Sequence, residues 1–429
     1  VTLPMSTALL TDHYELTMLQ AALRSGAAHR RAVFEVFARH LPEGRRYGVV
    51  AGTERLLDAL ADFRFGEEEL DFLSSTRVVD PPTLAFLADY RFSGHVRGYR
   101  EGDLYFPGSP IMVVEGTFAE AVLLETLTLS ILNHDCAIAS AASRMVHAAG
   151  TRPIIEMGSR RTHEAAGVAA ARAAYIAGFD CTSNLMAGHR YGVPTAGTSA
   201  HAFTLLHDDE PTAFRAQIDS LGPDTTLLID TYDVAEAVRT GVELAGTGLG
   251  AVRIDSGDLA LAAQQVREQL DSLGAFGTRI VVTSDLDEYT IAALAVAPVD
   301  GYGVGTSLVT GSGAPTAALV YKLVAREDSS GRIRPVAKRS VGKPSKGGLK
   351  SAYRRLSPAG TATAEIVVTA GQPLPEGRPL LHELIKNGER VHNEPLSAAR
   401  ARHRASMAEL PPEAHQLSRG YAAIPTVFD

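Results

Sequence analysis

From Thr151 to about Ala325 the chain repeats one rhythm: a short apolar run, an ending in glycine or a polar residue, then apolar positions at helical spacing. The runs are Pro153–Glu156, Ala177–Asp180, Val193–Thr198, Thr226–Asp230, Ala251–Asp255, Ile280–Asp285, Gly301–Thr306 and Ala318–Leu323. Most are separated by roughly twenty to thirty residues, the length of one strand–helix unit. Eight such units predict an α/β fold, an irregular parallel (β/α) barrel. An open doubly wound sheet satisfies the same pattern, and strand counting alone does not separate the two.

In either topology Glu156, Asp180, Thr198, Asp230, Asp255, Asp285 and Thr306 fall at predicted C-terminal strand ends. Parallel α/β folds place their active sites along that edge. An acid there is also a good helix N-cap, so some of these residues belong to the scaffold. Seven polar endings on one edge predict a site.

The flanking regions have a different texture. Phe34–Ala38 and Tyr47–Ala51 read as strands, Thr53–Asp62 as a helix, and Arg91–Ser109 as β-structure ending before Pro110. Phe118–Ala149 is one long helical pattern, rich in Ala and Leu and stopped by Gly150. The predicted organisation is an N-terminal α/β domain over residues 1–117, a barrel domain over 118–350 and a C-terminal segment over 351–429 that packs on the N-terminal domain. From Ser397 the tail reads as amphipathic helix and then loop.

Composition narrows the class. The 429 residues are 45% hydrophobic and 21% charged, which excludes long disorder, and the absence of Trp with only 6% aromatics predicts an aliphatic core. A net charge of −8 argues against nucleic-acid binding by bulk electrostatics. The two cysteines, Cys136 and Cys181, exclude a disulfide scaffold and a cysteine-rich zinc module. Val1–Leu10 lacks a basic start, and Phe118–Leu132 is too short to span a bilayer and carries Glu120 and Glu125. The expectation is a soluble cytoplasmic protein with neither membrane nor nucleic acid as partner.

Charge reverses over Arg332–Arg355, where nine basic residues (Arg332, Arg334, Lys338, Arg339, Lys343, Lys346, Lys350, Arg354 and Arg355) meet no acid. Such a segment is either a solvated loop or an attractor for a polyphosphate, with Lys338 and Arg339 nearest to it.

Four short stretches carry candidate chemistry. Gly301-Tyr302-Gly303-Val304-Gly305-Thr306-Ser307 opens a strand into a glycine-rich turn with hydroxyls, suited to phosphate because no Cβ blocks the backbone N–H groups. Val252-Arg253-Ile254-Asp255-Ser256-Gly257-Asp258 places Arg253 and Asp255 on one strand face. An inward Arg there needs a carboxylate or a bound anion. The two acids around Ser256-Gly257 suit ribose hydroxyls, although Ser256 or Asp258 also fits a helix N-cap. Glu156-Met157-Gly158-Ser159-Arg160-Arg161 sets adjacent guanidiniums at a strand end, either for an anion or as an exposed salt-bridged turn. Gly197-Thr198-Ser199-Ala200-His201 puts an imidazole beyond another strand end. HExxH, Walker A, GxSxG and paired CxxC patterns are all missing, so the common zinc, P-loop and hydrolase readings lose support.

Taken in order, Thr11-Asp12-His13-Tyr14-Glu15-Leu16-Thr17-Met18, Glu156–Arg161, Gly178-Phe179-Asp180, Gly197–Phe203, Arg253–Asp258 and Gly303–Ser307 resemble nicotinate phosphoribosyltransferases. The resemblance runs from about Leu10 to Lys322 and is weak after about residue 350. It implies conversion of nicotinate and phosphoribosyl pyrophosphate to nicotinate mononucleotide and pyrophosphate, with coupled ATP hydrolysis, in NAD salvage. It also implies an irregular α/β barrel with a second α/β domain built from both chain ends, and a homodimer with shared active sites. His201 matches the histidine that ATP phosphorylates. Tyr14 matches the aromatic that enters the neighbouring subunit's site and stacks on the pyridine, and Met157 takes a position that is aromatic in some relatives. Arg160, Asp180, Arg253, Asp255, Gly257 and Asp285 match positions around the substrates. Gly305 and Thr306, flanked by Gly303 and Ser307, match the ribose 5-phosphate turn.

The chemistry fits the residues independently. Displacement at the anomeric carbon needs positioning, stabilised departure of pyrophosphate and carboxylates near developing positive charge; the pyridine nitrogen is already a nucleophile. Mg²⁺ is expected with phosphoribosyl pyrophosphate and ATP, its ligands left open, and no tightly bound cofactor is expected. The competing readings are a metal-dependent barrel lyase or hydrolase, a non-catalytic nucleotide-binding protein, and a relative that uses nicotinamide or quinolinate.

Overall fold

The apolar alternation over Phe34–Ala38 belongs to an eight-residue strand, Arg31–Ala38, almost wholly buried after its first residue. The computed structural model describes residues 6–338 and 345–429. The chain divides into two compact units, one comprising residues up to Ala139 together with Thr316–Asp429, the other Ser140–Pro315.

In the first unit Arg31–Ala38 pairs antiparallel with Leu319–Glu327 on one side and Met112–Thr117 on the other. Ile333–Pro335, His95–Gly98, His382–Lys386 and Glu389–Arg390 extend this sheet to seven strands. Phe34 stacks on Tyr321 with ring centroids 4.9 Å apart, and Leu16, Leu19, Leu56 and Leu57 join the same apolar core. A four-stranded sheet is built from Arg378–Pro379, Lys350–Leu356, Ala362–Thr369 and Thr426–Phe428.

The run Ala318–Leu323, expected as the eighth barrel strand, is therefore part of an antiparallel strand in the first unit. The expected helix Phe118–Ala149 is two helices, Phe118–Val122 and Glu125–Ala149. At the break the buried carboxylate of Glu15 accepts hydrogen bonds from the Thr126 N–H (3.0 Å) and hydroxyl (2.6 Å), capping the second helix. No helix among the described residues is long and apolar enough to cross a membrane.

The basic stretch is largely committed within this unit. Arg334 pairs with Asp328 at 2.8 Å, Lys350 with the buried Glu35, and the fully buried Arg354 with Glu365. Lys346 lies over the ring of Phe428. Arg339 and Lys343 lie outside the described residues. A uniformly solvated or uniformly ligand-facing segment is thus excluded, because its acidic partners come from elsewhere in the chain.

The second unit holds six parallel strands: β1 (Ile154–Glu156), β2 (Cys181–Thr182), β3 (Thr226–Leu228), β4 (Ala251–Ile254), β5 (Arg279–Val282) and β6 (Gly301–Val304), in the order β2-β1-β6-β5-β4-β3. The expected run Val193–Thr198 contributes one parallel bridge, Thr195 to Thr182. The sheet is a curled half-barrel, with β2 and β3 as its outer strands. Buried aliphatic residues such as Leu227, Val252, Ile254, Ile280 and Val304 pack the strands, with buried alanines of the helix Glu164–Ile176.

Candidate active site

The loops leaving β3 and β4 are tied together by one acid. Asp230, only 5% exposed, accepts through Oδ2 from the Asp255 N–H (2.9 Å) and the Ser256 hydroxyl (2.6 Å). Its Oδ1 is buried, has no hydrogen bond among the described residues, and lies 3.8 Å from His201 Nε2. His201 starts the short helix His201–Leu206; its Nδ1 is 3.1 Å from the Thr231 hydroxyl and its Nε2 is 4.0 Å from Asp255 Oδ2. Asp255 accepts in turn from the Thr283 hydroxyl at the end of β5. One imidazole and two carboxylates therefore meet at the strand ends.

Two clefts open beside them. One, of about 140 Å³, is lined by Met157, Arg160, Arg161, Asp255, Thr283, Ser284, Asp285, Gly303, Gly305 and Thr306. The other, of about 260 Å³, is lined by Met157, Ser159, Arg160, Ser183, Gly197, Thr198, Ser199, Ala200 and Arg253. Met157 and Arg160 belong to both, so they stand between the two.

The electrostatics suit anions. Arg253 donates to the Thr198 hydroxyl, while its Nε is buried and without a hydrogen bond among the described residues. Burial lowers its pKa; Asp255 and Asp230 oppose that shift and Arg160 adds to it. Two guanidiniums facing one cleft are relieved by an incoming anion, which replaces their lost hydration with charge-assisted bonds.

Residues 9–133 match the N-terminal domain model of nicotinate phosphoribosyltransferase. A nicotinate phosphoribosyltransferase of Mycobacterium tuberculosis is 58% identical over 97% of this chain and 94% of its own length. The chain belongs to the nicotinate phosphoribosyltransferase family. The crystal structure of human nicotinic acid phosphoribosyltransferase superposes with a TM-score of 0.85 at 28% identity, covering 98% of this chain and 97% of that one. A nicotinate-nucleotide pyrophosphorylase from Pyrococcus furiosus shares the fold, with a TM-score of 0.79 at 24% identity, covering 95% of this chain and 98% of that one.

The nicotinate phosphoribosyltransferase motifs do not all converge. Met157, Arg160, Asp255, Asp285, Gly303, Gly305 and Thr306 line one cleft, and Arg253 lines the other. Gly303 gives Met157 room, because a Cβ there would lie 2.8 Å from its sulfur and 2.5 Å from Thr283 Cγ2. Gly257 has φ +83°, which lets the chain turn sharply between β4 and the next helix. Asp258 is spent as the N-cap of Leu259–Ser272, accepting from the Leu261 N–H at 3.1 Å. Ser307 accepts through its carbonyl from the Ser312 N–H at 2.6 Å and is not among the cleft-lining residues. Tyr14 lies in the first unit on the helix His13–Ser25, half exposed, its pKa pushed up to about 12 by burial and by Glu125, Glu15 and Asp12.

Asp180 leaves the expected edge, while Glu156 stays at its strand end but is spent inside the fold. The run Ala177–Asp180 is the end of a helix and a turn, and β2 begins only at Cys181. Asp180 thus precedes its strand and accepts from the Ile154 N–H at 2.9 Å, at the start of β1. Glu156 is fully buried and accepts from the Gly158 N–H and the Thr182 hydroxyl; burial raises its pKa against both bonds. It braces the turn that carries Met157 and Arg160.

Thr231, Thr283 and Ser284 are the residues sequence reasoning passed over. Thr283-Ser284 follows β5 directly and precedes Asp285, so a hydroxyl pair at a strand end was the available signal.

Proposed function

We propose that this chain transfers the phosphoribosyl group of phosphoribosyl pyrophosphate to nicotinate, with ATP hydrolysis coupled through His201. The observation that carries the reading is the meeting of His201 with Asp230 and Asp255 beside two clefts that share Arg160. The glycine turn Gly303–Thr306 with Arg161 takes the 5-phosphate, and Asp285 and Asp255 take the ribose hydroxyls. Arg253, Arg160 and Ser199 take the nicotinate carboxylate or the leaving pyrophosphate.

In the transfer, the pyridine nitrogen forms the bond to the anomeric carbon with its lone pair. The carbon–oxygen bond to pyrophosphate breaks and the electron pair leaves with that oxygen. No proton moves, so the residues act by orientation and by placing carboxylates near the oxocarbenium-like centre. A magnesium ion bound with the polyphosphates would supply charge neutralisation for the departing oxygens. Asp255 and Asp285, two carboxylates in one polar cleft, suit a hard cation that keeps most of its waters.

The coupling step uses the imidazole. With Nδ1–H donating to Thr231, the Nε2 lone pair attacks the γ-phosphorus of ATP, and the bond to the ADP oxygen breaks. Water later cleaves the phosphohistidine, and charge beside the substrate shifts binding in the interval. We place Tyr14 of a partner subunit against the pyridine ring in a homodimer.

The test measures nucleotide formation from phosphoribosyl pyrophosphate with nicotinate, nicotinamide and quinolinate separately. Nicotinate should be preferred by about tenfold or more, as expected when a buried guanidinium must find its anion. Equal or better turnover of either competitor removes the assignment.

A further inference from the structure

Ser284 has φ +138°, a conformation glycine adopts freely and other residues reach only with strain. It sits in the turn after β5, where the Leu286 N–H donates to its carbonyl at 2.9 Å. Its neighbours hold that turn: the Thr283 hydroxyl donates to Asp255, and Leu286 is buried. Ser284 itself is exposed, lines the cleft with Asp255, Asp285, Gly305 and Thr306, and its hydroxyl makes no hydrogen bond among the described residues. Glycine would serve the backbone here at lower cost. A strained, unspent donor facing a polar cleft is instead suited to what enters the cleft.

We propose that Ser284 is a substrate-binding residue whose hydroxyl donates to a phosphate oxygen of the phosphoribosyl group. This rests on the function proposed above. The anion is favoured over a neutral partner because Arg160, Arg161 and the Gly303–Thr306 turn line the same cleft. The hydroxyl adds a short, directional donor to two long, mobile cations.

The experiment compares Ser284→Gly and Ser284→Ala with the wild type in steady-state kinetics and thermal unfolding. Both variants lose the donor, so KM for phosphoribosyl pyrophosphate should rise by about threefold to twentyfold, with KM for nicotinate within about twofold. Ser284→Gly should also melt at a higher temperature than Ser284→Ala, because only glycine relieves the backbone. A rise below about threefold in either folded variant, a parallel rise in KM for nicotinate, or the opposite melting order overturns the proposal. If Ser284→Ala does not fold, the kinetics of Ser284→Gly decide alone. Wild-type protein that makes no nicotinate mononucleotide would instead remove the reading on which this one rests.

Discussion

The Oδ1 atom of Asp230 lies 3.8 Å from Nε2 of His201, while Oδ2 of the same carboxylate holds the Asp255–Ser256 turn. The acid thus serves structure with one oxygen and faces the imidazole with the other. Asp230→Asn keeps an acceptor for the turn and removes the negative charge beside His201. ATP-dependent stimulation should fall by roughly tenfold or more, while slow synthesis without ATP stays within about threefold. Paired assays of nucleotide formation with and without ATP check this, and equal losses in both would make Asp230 a scaffold residue.

Arg253 and Tyr14 together test the proposed homodimer. Arg253→Ala should lower kcat/KM about tenfold to a few hundredfold, the loss of a charge-assisted hydrogen bond. Mixing it with Tyr14→Ala should restore part of the activity, because one hybrid site then contains both native residues. Subunit exchange is followed by mass spectrometry of the mixed oligomers; full exchange with no recovery would place Tyr14 outside the partner's site.

Much of the second unit was legible. β1, β3, β4, β5 and β6 lie within or one residue from the expected runs, because each strand is a short buried aliphatic stretch. Ala177–Asp180 was not, because Phe179 is buried in a turn rather than in a strand, and apolar texture does not distinguish the two. Ala318–Leu323 failed for another reason: its partner, Arg31–Ala38, lies about two-thirds of the chain away. Part of the basic stretch behaves in the same manner, since Lys350 and Arg354 find their acids, Glu35 and Glu365, outside it in sequence. Local pattern gives element type, while pairing partners come from tertiary structure. The candidate site was read best where a motif closed a strand, as at Arg253–Asp255 and Gly303–Thr306.

Glu288 links the turn that follows β6 to the core of the second unit. It pairs with the buried Arg144 at 3.0 Å and accepts from the hydroxyl of Ser312, whose N–H holds the Ser307 carbonyl. Glu288→Ala takes the carboxylate from a buried guanidinium that keeps its 3.3 Å bond to the Tyr289 hydroxyl, and should cost about 3–5 kcal/mol. Ser312→Ala should cost only about 1 kcal/mol. Denaturant unfolding monitored on the intact chain separates the two, and similar costs would contradict the pairing.

Glu210 gives the unit a pH dependence. Burial, with Asp233 and Glu236 nearby, raises its pKa to about 7. The folded state therefore holds this proton more tightly than the unfolded state, whose carboxyl titrates near 4.3. Its contribution to stability is fully present below about pH 4 and is lost as pH rises to about 7. Glu210→Gln should be more stable than wild type at pH 8, by on the order of 1 kcal/mol, with the difference vanishing near pH 4. Thermal melts across that range check the sign.

The central claim is that nicotinate mononucleotide formation is driven by ATP through His201. Counting nicotinate mononucleotide and ADP in the same reaction, for wild type and His201→Asn, tests it most directly. Wild type should release ADP in step with product and carry an acid-labile, base-stable phosphate during turnover. His201→Asn should form product slowly, without nicotinate-dependent ADP release. Wild type that forms no product, or a variant that couples ADP to product at the wild-type ratio, would contradict the account.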